Sequence, residues 1–393
     1  MRRFTCQDLP PSKSSLVTVS TCNSRIEHVA RNRCHVLANT IADNQWNHRF
    51  VRNGELAIEA SYHGGGHRPS IRGSINRLLL YSRSFCGDVG LLNRLVVGSA
   101  PLLPRFFIGR IAARYVAGDS LDDGLALVAH LNGQGFAGTL DILGEEVQET
   151  DATLRFRDTY LEALDGIANS GADCNVSLKL SALGLRIDPE LCWNNLALIL
   201  DRAREFDNFV RFDMEDSSIT QATLGMCQRA REFYPQCGTV LQAYLHRTLE
   251  DARSLAGSGS NVRLCKGAYV EPGEIAYQGY QEVRDSFMAT ARQLLEQGSY
   301  PCFATHDLWL IERCEALVTE LGVESDRYEF QALSGVPVET TLDRLVAAGH
   351  RVRYYIPFGP EWNAYSLRRM RENPTIWRHT IRAMFSRSRH RRR

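Results

Sequence analysis

The stretches Val176-Ser177-Leu178-Lys179-Leu180-Ser181 and Val210-Arg211-Phe212-Asp213-Met214-Glu215 decide the fold. In both, the odd positions are polar and the even positions apolar, and successive side chains of a strand point to opposite faces. The apolar face suits a cover of helices, which leaves Lys179 and Asp213 on the other face, close to the C-terminal strand ends. The same unit, a short apolar-rich run followed by a helical pattern, recurs along the chain. The runs fall at 138–144, 175–182, 209–215, 240–245, 262–267, 302–306, 328–332 and 352–357. Between them, segments such as 189–206 and 285–297 space apolar residues by three and four, as one face of a helix requires. Strictly alternating strands and helices imply parallel pairing through right-handed crossovers, and eight units are what a closed (β/α)8 barrel needs. An open doubly wound sheet is the alternative. The expected organisation is an N-terminal segment 1–74 without sustained periodicity and largely disordered, a helical region 75–137 packing on the barrel, the barrel at 138–375, and a basic tail at 376–393.

Composition narrows the classes further. The chain has 393 residues and 44% hydrophobic content, enough to bury a sizeable core. Its 11 cysteines include no C-x-x-C pair, so neither a zinc ribbon nor a disulfide framework is indicated and a reducing compartment is expected. The His and Cys positions lack metal-ligand spacing, and no catalytic metal is expected. The apolar stretch 91–117 is cut by Arg94, Pro101, Pro104, Arg105 and Arg110, so it does not supply a membrane span. A Ser/Arg-rich start fits an organelle transit peptide poorly because of Asp8 and two early prolines. The net charge of +1 is unevenly spread. Residues 1–100 hold 13 Lys/Arg against six Asp/Glu and residues 376–393 hold seven Arg and no acid, which leaves −13 on residues 101–375.

Of 46 Lys and Arg residues only Lys13, Lys179 and Lys266 are lysines. A lysine is a compact charge on a flexible stem where arginine is a flat fork, so two lysines retained at strand ends point to a need for that shape. A Lys179–Asp213 pair that merely fills the interior is the plain alternative, although buried ion pairs stabilise weakly. Other strand ends carry Asp141, Glu145, Gln242, Tyr244, Arg263, Lys266, Thr305, His306 and Asp307, and the last run ends in Tyr354-Tyr355. In the helix expected at 361–373, Tyr365, Arg368, Arg369 and Glu372 share one face. If that face looks onto the barrel mouth, its two guanidinium forks suit one carboxylate. No G-x-G-x-x-G or P-loop pattern follows any strand, so a phosphate-bearing cofactor needs another cradle. Arg263, Lys266, Gly267 and Ala268 are the candidates.

Taken in order, these motifs resemble the proline dehydrogenase family. The matching stretches are Leu140-Asp141-Ile142-Leu143-Gly144-Glu145, Ser177-Leu178-Lys179-Leu180-Ser181-Ala182-Leu183, Phe212-Asp213-Met214-Glu215, Leu241-Gln242-Ala243-Tyr244, Val262-Arg263-Leu264-Cys265-Lys266-Gly267-Ala268-Tyr269, Ala304-Thr305-His306-Asp307, Tyr328-Glu329-Phe330-Gln331 and Tyr365-Ser366-Leu367-Arg368-Arg369. The resemblance implies a distorted (βα)8 barrel with its last helix over the mouth, FAD as cofactor, and oxidation of L-proline to Δ1-pyrroline-5-carboxylate with electrons passed to a quinone. It implies that Lys179, Arg368 and Arg369 bind the substrate carboxylate, that Tyr355 and Tyr365 enclose the ring, and that Asp213 lies near substrate and flavin. Asp141 and Glu145 would support the lysine. Gln242, Arg263, Lys266, Gly267, Ala268, Tyr269, Thr305, His306 and Gln331 would contact FAD, with an Arg263–Glu372 ion pair closing the site. Val270 and Asp307 depart from the Trp and Asn of bifunctional members. A quinone acceptor, together with the basic tail, implies cytoplasmic residence with peripheral contact on a membrane, the matrix side in a mitochondrion; an oligomer is compatible. The rival classes are another FAD barrel oxidoreductase of the methylenetetrahydrofolate reductase kind and a catalytically inactive barrel.

Overall fold

The computed structural model describes residues 14–20, 55–61, 114–144, 147–255 and 259–362. By contacts the chain forms two units, Met1–Asp88 and Val89–Arg393. In the first, strands Ser14–Ser20 and Glu55–Ser61 pair antiparallel, with Ser14 opposite Ser61. The expectation of a largely disordered 1–74 did not include this pair; the rest of that segment lies outside the described residues.

In the second unit, helix α1, Leu121–Asn132, precedes the first barrel strand, and its start is set by a reciprocal cap. The Asp123 N–H donates to Ser120 Oγ and the Ser120 N–H donates to Asp123 Oδ2. Gly124, Val128 and Leu131 form its buried face. Strands and helices then alternate: β1 Ala137–Ile142, α2 Thr150–Ser170, β2 Cys174–Leu178, α3 Pro189–Glu205, β3 Val210–Phe212, α4 Thr220–Phe233, β4 Cys237–Gln242, α5 Thr248–Ser254, β5 Asn261–Cys265, α6 Tyr280–Glu296, β6 Tyr300–Ala304, α7 Leu308–Glu320, β7 Glu329–Leu333, α8 Glu339–Ala347 and β8 Val352–Phe358. All eight strands pair parallel and β8 closes onto β1, which excludes the open sheet. Helix α1 packs across that closing seam, where Gly124 lies against Leu140 and Phe358.

The even-numbered apolar face of the two deciding strands, Val176, Leu178, Val210 and Phe212, is fully buried in the core between barrel and helices. Strands β2 and β3 end earlier than the apolar runs. Past Leu178 the chain folds into turns, with the Ala182 N–H bonded to the Lys179 carbonyl, so Lys179 and Asp213 stand one residue beyond their strands, at the mouth.

The interior is polar. Arg211, the largest fully buried side chain among the described residues, donates to the carbonyls of Thr239 at 2.9 Å and Asn261 at 3.0 Å. Gly238 makes room for it: a Cβ there would lie 2.9 Å from Arg211 Nη1 and 2.2 Å from the Asn261 carbonyl oxygen. Beside it Arg353 holds Glu329 at 3.0 Å, which lowers the Glu329 pKa to about 2 although burial opposes its charge. These bonds satisfy groups that would otherwise be costly to bury, although Arg211 Nε has no hydrogen-bond partner among the described residues. Among the described residues no helix is long and apolar enough to cross a membrane.

Candidate active site

Six strands, β1, β2, β3, β5, β7 and β8, bring side chains on them or just past their ends together at the C-terminal end of the barrel. Lys179 Nζ lies 2.6 Å from Asp141 Oδ1, 3.6 Å from Asp213 Oδ2 and 3.4 Å from the Tyr355 hydroxyl. Tyr355 donates to Asp213 Oδ2 at 2.7 Å. On its other oxygen, Asp213 accepts from Ser177 Oγ at 2.6 Å and from Arg263 Nη1 at 2.6 Å. Arg263 also donates from Nε to Gln331 Oε1 at 2.6 Å, and its guanidinium stacks 5.0 Å from the centre of the Tyr355 ring.

Charge states follow from this cage. Burial works against the Lys179 ammonium, but Asp141 and Asp213 outweigh it and raise its pKa. Burial likewise opposes the Asp213 carboxylate, yet Arg263 and Lys179 hold its pKa below the usual range. Lys179 is therefore a fixed cation and Asp213 a fixed anion near neutral pH, suited to holding and orienting a charged ligand rather than to moving protons. Asp141 is pushed up by burial first, against the pull of Lys179.

Next to this cage lies a band of donors on β4 to β7 and the loops that follow them. Gln242 links two loops, donating to the Glu215 carbonyl at 2.8 Å and accepting from the Ala268 N–H at 3.0 Å. Glu215 is buried and accepts from the Ser181 N–H at 3.0 Å and from its hydroxyl. Gly267 takes φ +132° and sits so close to the Tyr244 ring that a Cβ would lie 2.3 Å away; only glycine permits the turn that presents Lys266, Ala268 and Tyr269. His306 accepts the Leu333 N–H on Nε2 at 2.9 Å, and burial, with the charge of Lys266, lowers its pKa to about 4. Thr305 Oγ1 accepts from the Asp307 N–H at 3.2 Å. Two side-chain cations, a neutral imidazole, an amide and a glycine turn on adjacent strands match the donors that a phosphate-bearing ring cofactor requires.

The family model described as proline dehydrogenase matches residues 125–378, a span that contains every side chain of this cage. The chain belongs to the proline dehydrogenase family. It is 34% identical over 292 residues to proline dehydrogenase 2 of Bacillus subtilis (strain 168), covering 74% of this chain and 93% of that protein. It is 35% identical over 277 residues to the proline dehydrogenase of Deinococcus radiodurans, covering 69% and 89%. Among solved structures it resembles proline utilization A (PutA) from Bdellovibrio bacteriovorus, with a TM-score of 0.63 and 27% identity over 67% of this chain. It spans about a third of that longer protein, 32% of its chain.

For a proline dehydrogenase family member, the barrel gathers Asp141, Lys179, Asp213, Arg263, Gln331 and Tyr355 into one bonded cluster and keeps Gln242, Lys266, Thr305 and His306 beside it. Glu145, Tyr365, Arg368, Arg369 and Glu372 lie outside the described residues, and so does the expected Arg263–Glu372 pair; the bonded partners of Arg263 here are Asp213, Ser177 and Gln331. Ser177 was missed as a site residue although the period-two pattern places it on the same face as Lys179. The bonds that Arg284 and Tyr280 make to Asp307 had no signal in the sequence, since both lie on α6, and helical spacing does not say which strand-end loop a helix residue will meet.

Proposed function

We propose that this protein oxidises L-proline to Δ1-pyrroline-5-carboxylate, with FAD as hydride acceptor and a quinone as the onward electron acceptor. The observation that carries this reading is the Lys179–Asp141–Asp213–Tyr355–Arg263 cage at the mouth of a barrel whose family oxidises proline. Lys179 supplies a permanent positive charge for the substrate carboxylate, joined by Arg368 and Arg369 from the sequence motif. Tyr355 and Tyr365 enclose the pyrrolidine ring. Asp213, pinned by three donors, keeps the Tyr355 hydroxyl and Arg263 in place and so helps to set the pose in which C5 faces the acceptor. In the reaction the C5–H bond breaks, its electron pair leaves with the hydrogen as hydride, and the nitrogen lone pair forms the C5=N bond; the nitrogen must be neutral for this, and its proton passes to solvent. Bound FAD would supply the hydride-accepting centre. Arg263, Lys266, Gly267, Ala268, Tyr269, Gln242, Thr305, His306 and Gln331 are the residues to hold it. A catalytically inactive barrel would have no use for a lysine kept charged between two buried carboxylates, whose desolvation is costly.

The test is spectroscopic. The purified full-length chain should carry a flavin absorption band that bleaches on anaerobic addition of L-proline and returns on adding a soluble quinone. A protein whose flavin band ignores L-proline but bleaches with a reduced nicotinamide would support the other FAD barrel reading instead.

A further inference from the structure

Beyond the cage, the described residues hold a second cluster of charge, gathered on the buried carboxylate of Asp307. Asp307, which precedes α7, accepts from Arg284 Nη2 at 2.6 Å and from Nε at 2.9 Å, and from the Tyr280 hydroxyl at 2.6 Å. Lys266 Nζ stands off at 3.5 Å from the same carboxylate. Exposure follows the same order, with the side chain 3% exposed for Asp307, 18% for Arg284 and 34% for Lys266. The Arg284 guanidinium is flanked by aromatic rings, 4.4 Å from the centre of Tyr280 and 4.8 Å from that of Trp309. The cluster holds two cations and one carboxylate, so one positive charge is in excess, and the geometry assigns the carboxylate to Arg284.

The asymmetry has a physical consequence. An ammonium on a flexible stem collapses onto a nearby buried carboxylate unless that carboxylate already has its bonds. Arg284 and Tyr280 fill the strong acceptor positions of Asp307, which leaves Lys266 loosely paired and the most open to solvent, beside the glycine turn Gly267–Ala268. We propose that Arg284 is a positioning residue for cofactor binding: by saturating Asp307 it keeps the Lys266 ammonium available to the diphosphate of a dinucleotide. This rests on the FAD reading above. A merely structural Arg284, tying α6 to α7, would affect stability without regard to phosphate.

The experiment uses the full-length chain stripped of flavin, titrated with FAD and with riboflavin while following flavin fluorescence, for wild type, Arg284→Met, Asp307→Asn and the double variant. Arg284→Met should weaken FAD by about tenfold or more, the size of one charge-assisted contact, and leave riboflavin within about twofold. The double variant, in which no carboxylate remains to capture Lys266, should recover FAD affinity to within about threefold of wild type, as coupled neighbours do. Three results overturn the proposal: FAD affinity unchanged in Arg284→Met, equal losses for FAD and riboflavin, or no recovery in the double variant. Wild-type protein that binds neither flavin would instead overturn the FAD reading itself, and this one with it.

Discussion

Replacing Lys179 with Met should convert the best-buried ion pair of the site into a pH-dependent defect. Asp141 is fully buried, its Oδ1 lies 2.6 Å from Lys179 Nζ, and its Oδ2 has no hydrogen-bond partner among the described residues. At an effective dielectric of about 20, charges at that distance attract by about 6 kcal/mol, and desolvation cancels part of this. Removing the lysine while keeping the acid costs about 3–5 kcal/mol by precedent for broken buried pairs. Asp141 can escape its unpaired charge by taking a proton, at about 1.4 kcal/mol for each pH unit above its unfolded value near 3.9. The folded pKa is raised, so the defect is absent at low pH and grows as pH rises. It is bounded at about 4 kcal/mol at pH 7 and falls to about 1.5 kcal/mol at pH 5. Urea unfolding of wild type and Lys179→Met at the two pH values, followed by far-ultraviolet circular dichroism, measures the difference. Lys179→Met with Asp141→Asn should lose the pH dependence and regain most of the stability. Equal deficits at pH 5 and pH 7, or a double variant no more stable than the single one at pH 7, would refute the paired-charge account.

Arg368→Met or Arg369→Met should raise the KM for proline about tenfold or more, since each removes a fork to the carboxylate worth about 1.5–3 kcal/mol, with flavin content barely changed; steady-state kinetics and the flavin-to-protein absorbance ratio check both. His306, with its pKa lowered to about 4, stays neutral in the fold while the unfolded chain takes up a proton below about pH 6.5. Stability should therefore decline by up to about 3 kcal/mol between those values, and His306→Gln, which keeps an acceptor for the Leu333 N–H, should show a flatter melting-temperature profile over that range. Deleting residues 376–393 should lower co-sedimentation with anionic liposomes and activity with a lipid-embedded quinone, while leaving activity with a soluble dye acceptor intact, because each arginine near an anionic surface contributes about 1 kcal/mol. Equal liposome binding with and without the tail would remove it as the membrane contact.

Much of this protein is legible in its sequence. Period-two alternation is a local property, so Val176 to Ser181 and Val210 to Glu215 announced which face of each strand meets the helices and which carries Lys179 and Asp213; eight repeats of one unit pointed to the barrel, and the closure of β8 onto β1 excluded the open sheet. Motif order then named the family. Partnership was not legible, because it depends on register and closure. Which carboxylate takes Lys179 follows from β1 lying beside β2, with Asp141 opposite Ser177. That Tyr355 reaches Asp213 follows from β8 closing the barrel onto β1. Ser177 looked like an ordinary polar residue until the barrel turned it toward Asp213 and Arg263. The Arg284–Asp307 fork joins α6 to the end of β6, and a helix residue carries no periodic sign of which loop it will face. Sequence determines which side of each element is polar; only the closed tertiary fold, by setting distances of a few ångströms between residues such as Lys179 and Tyr355, 176 positions apart, determines which charges neutralise one another and which are left for a ligand.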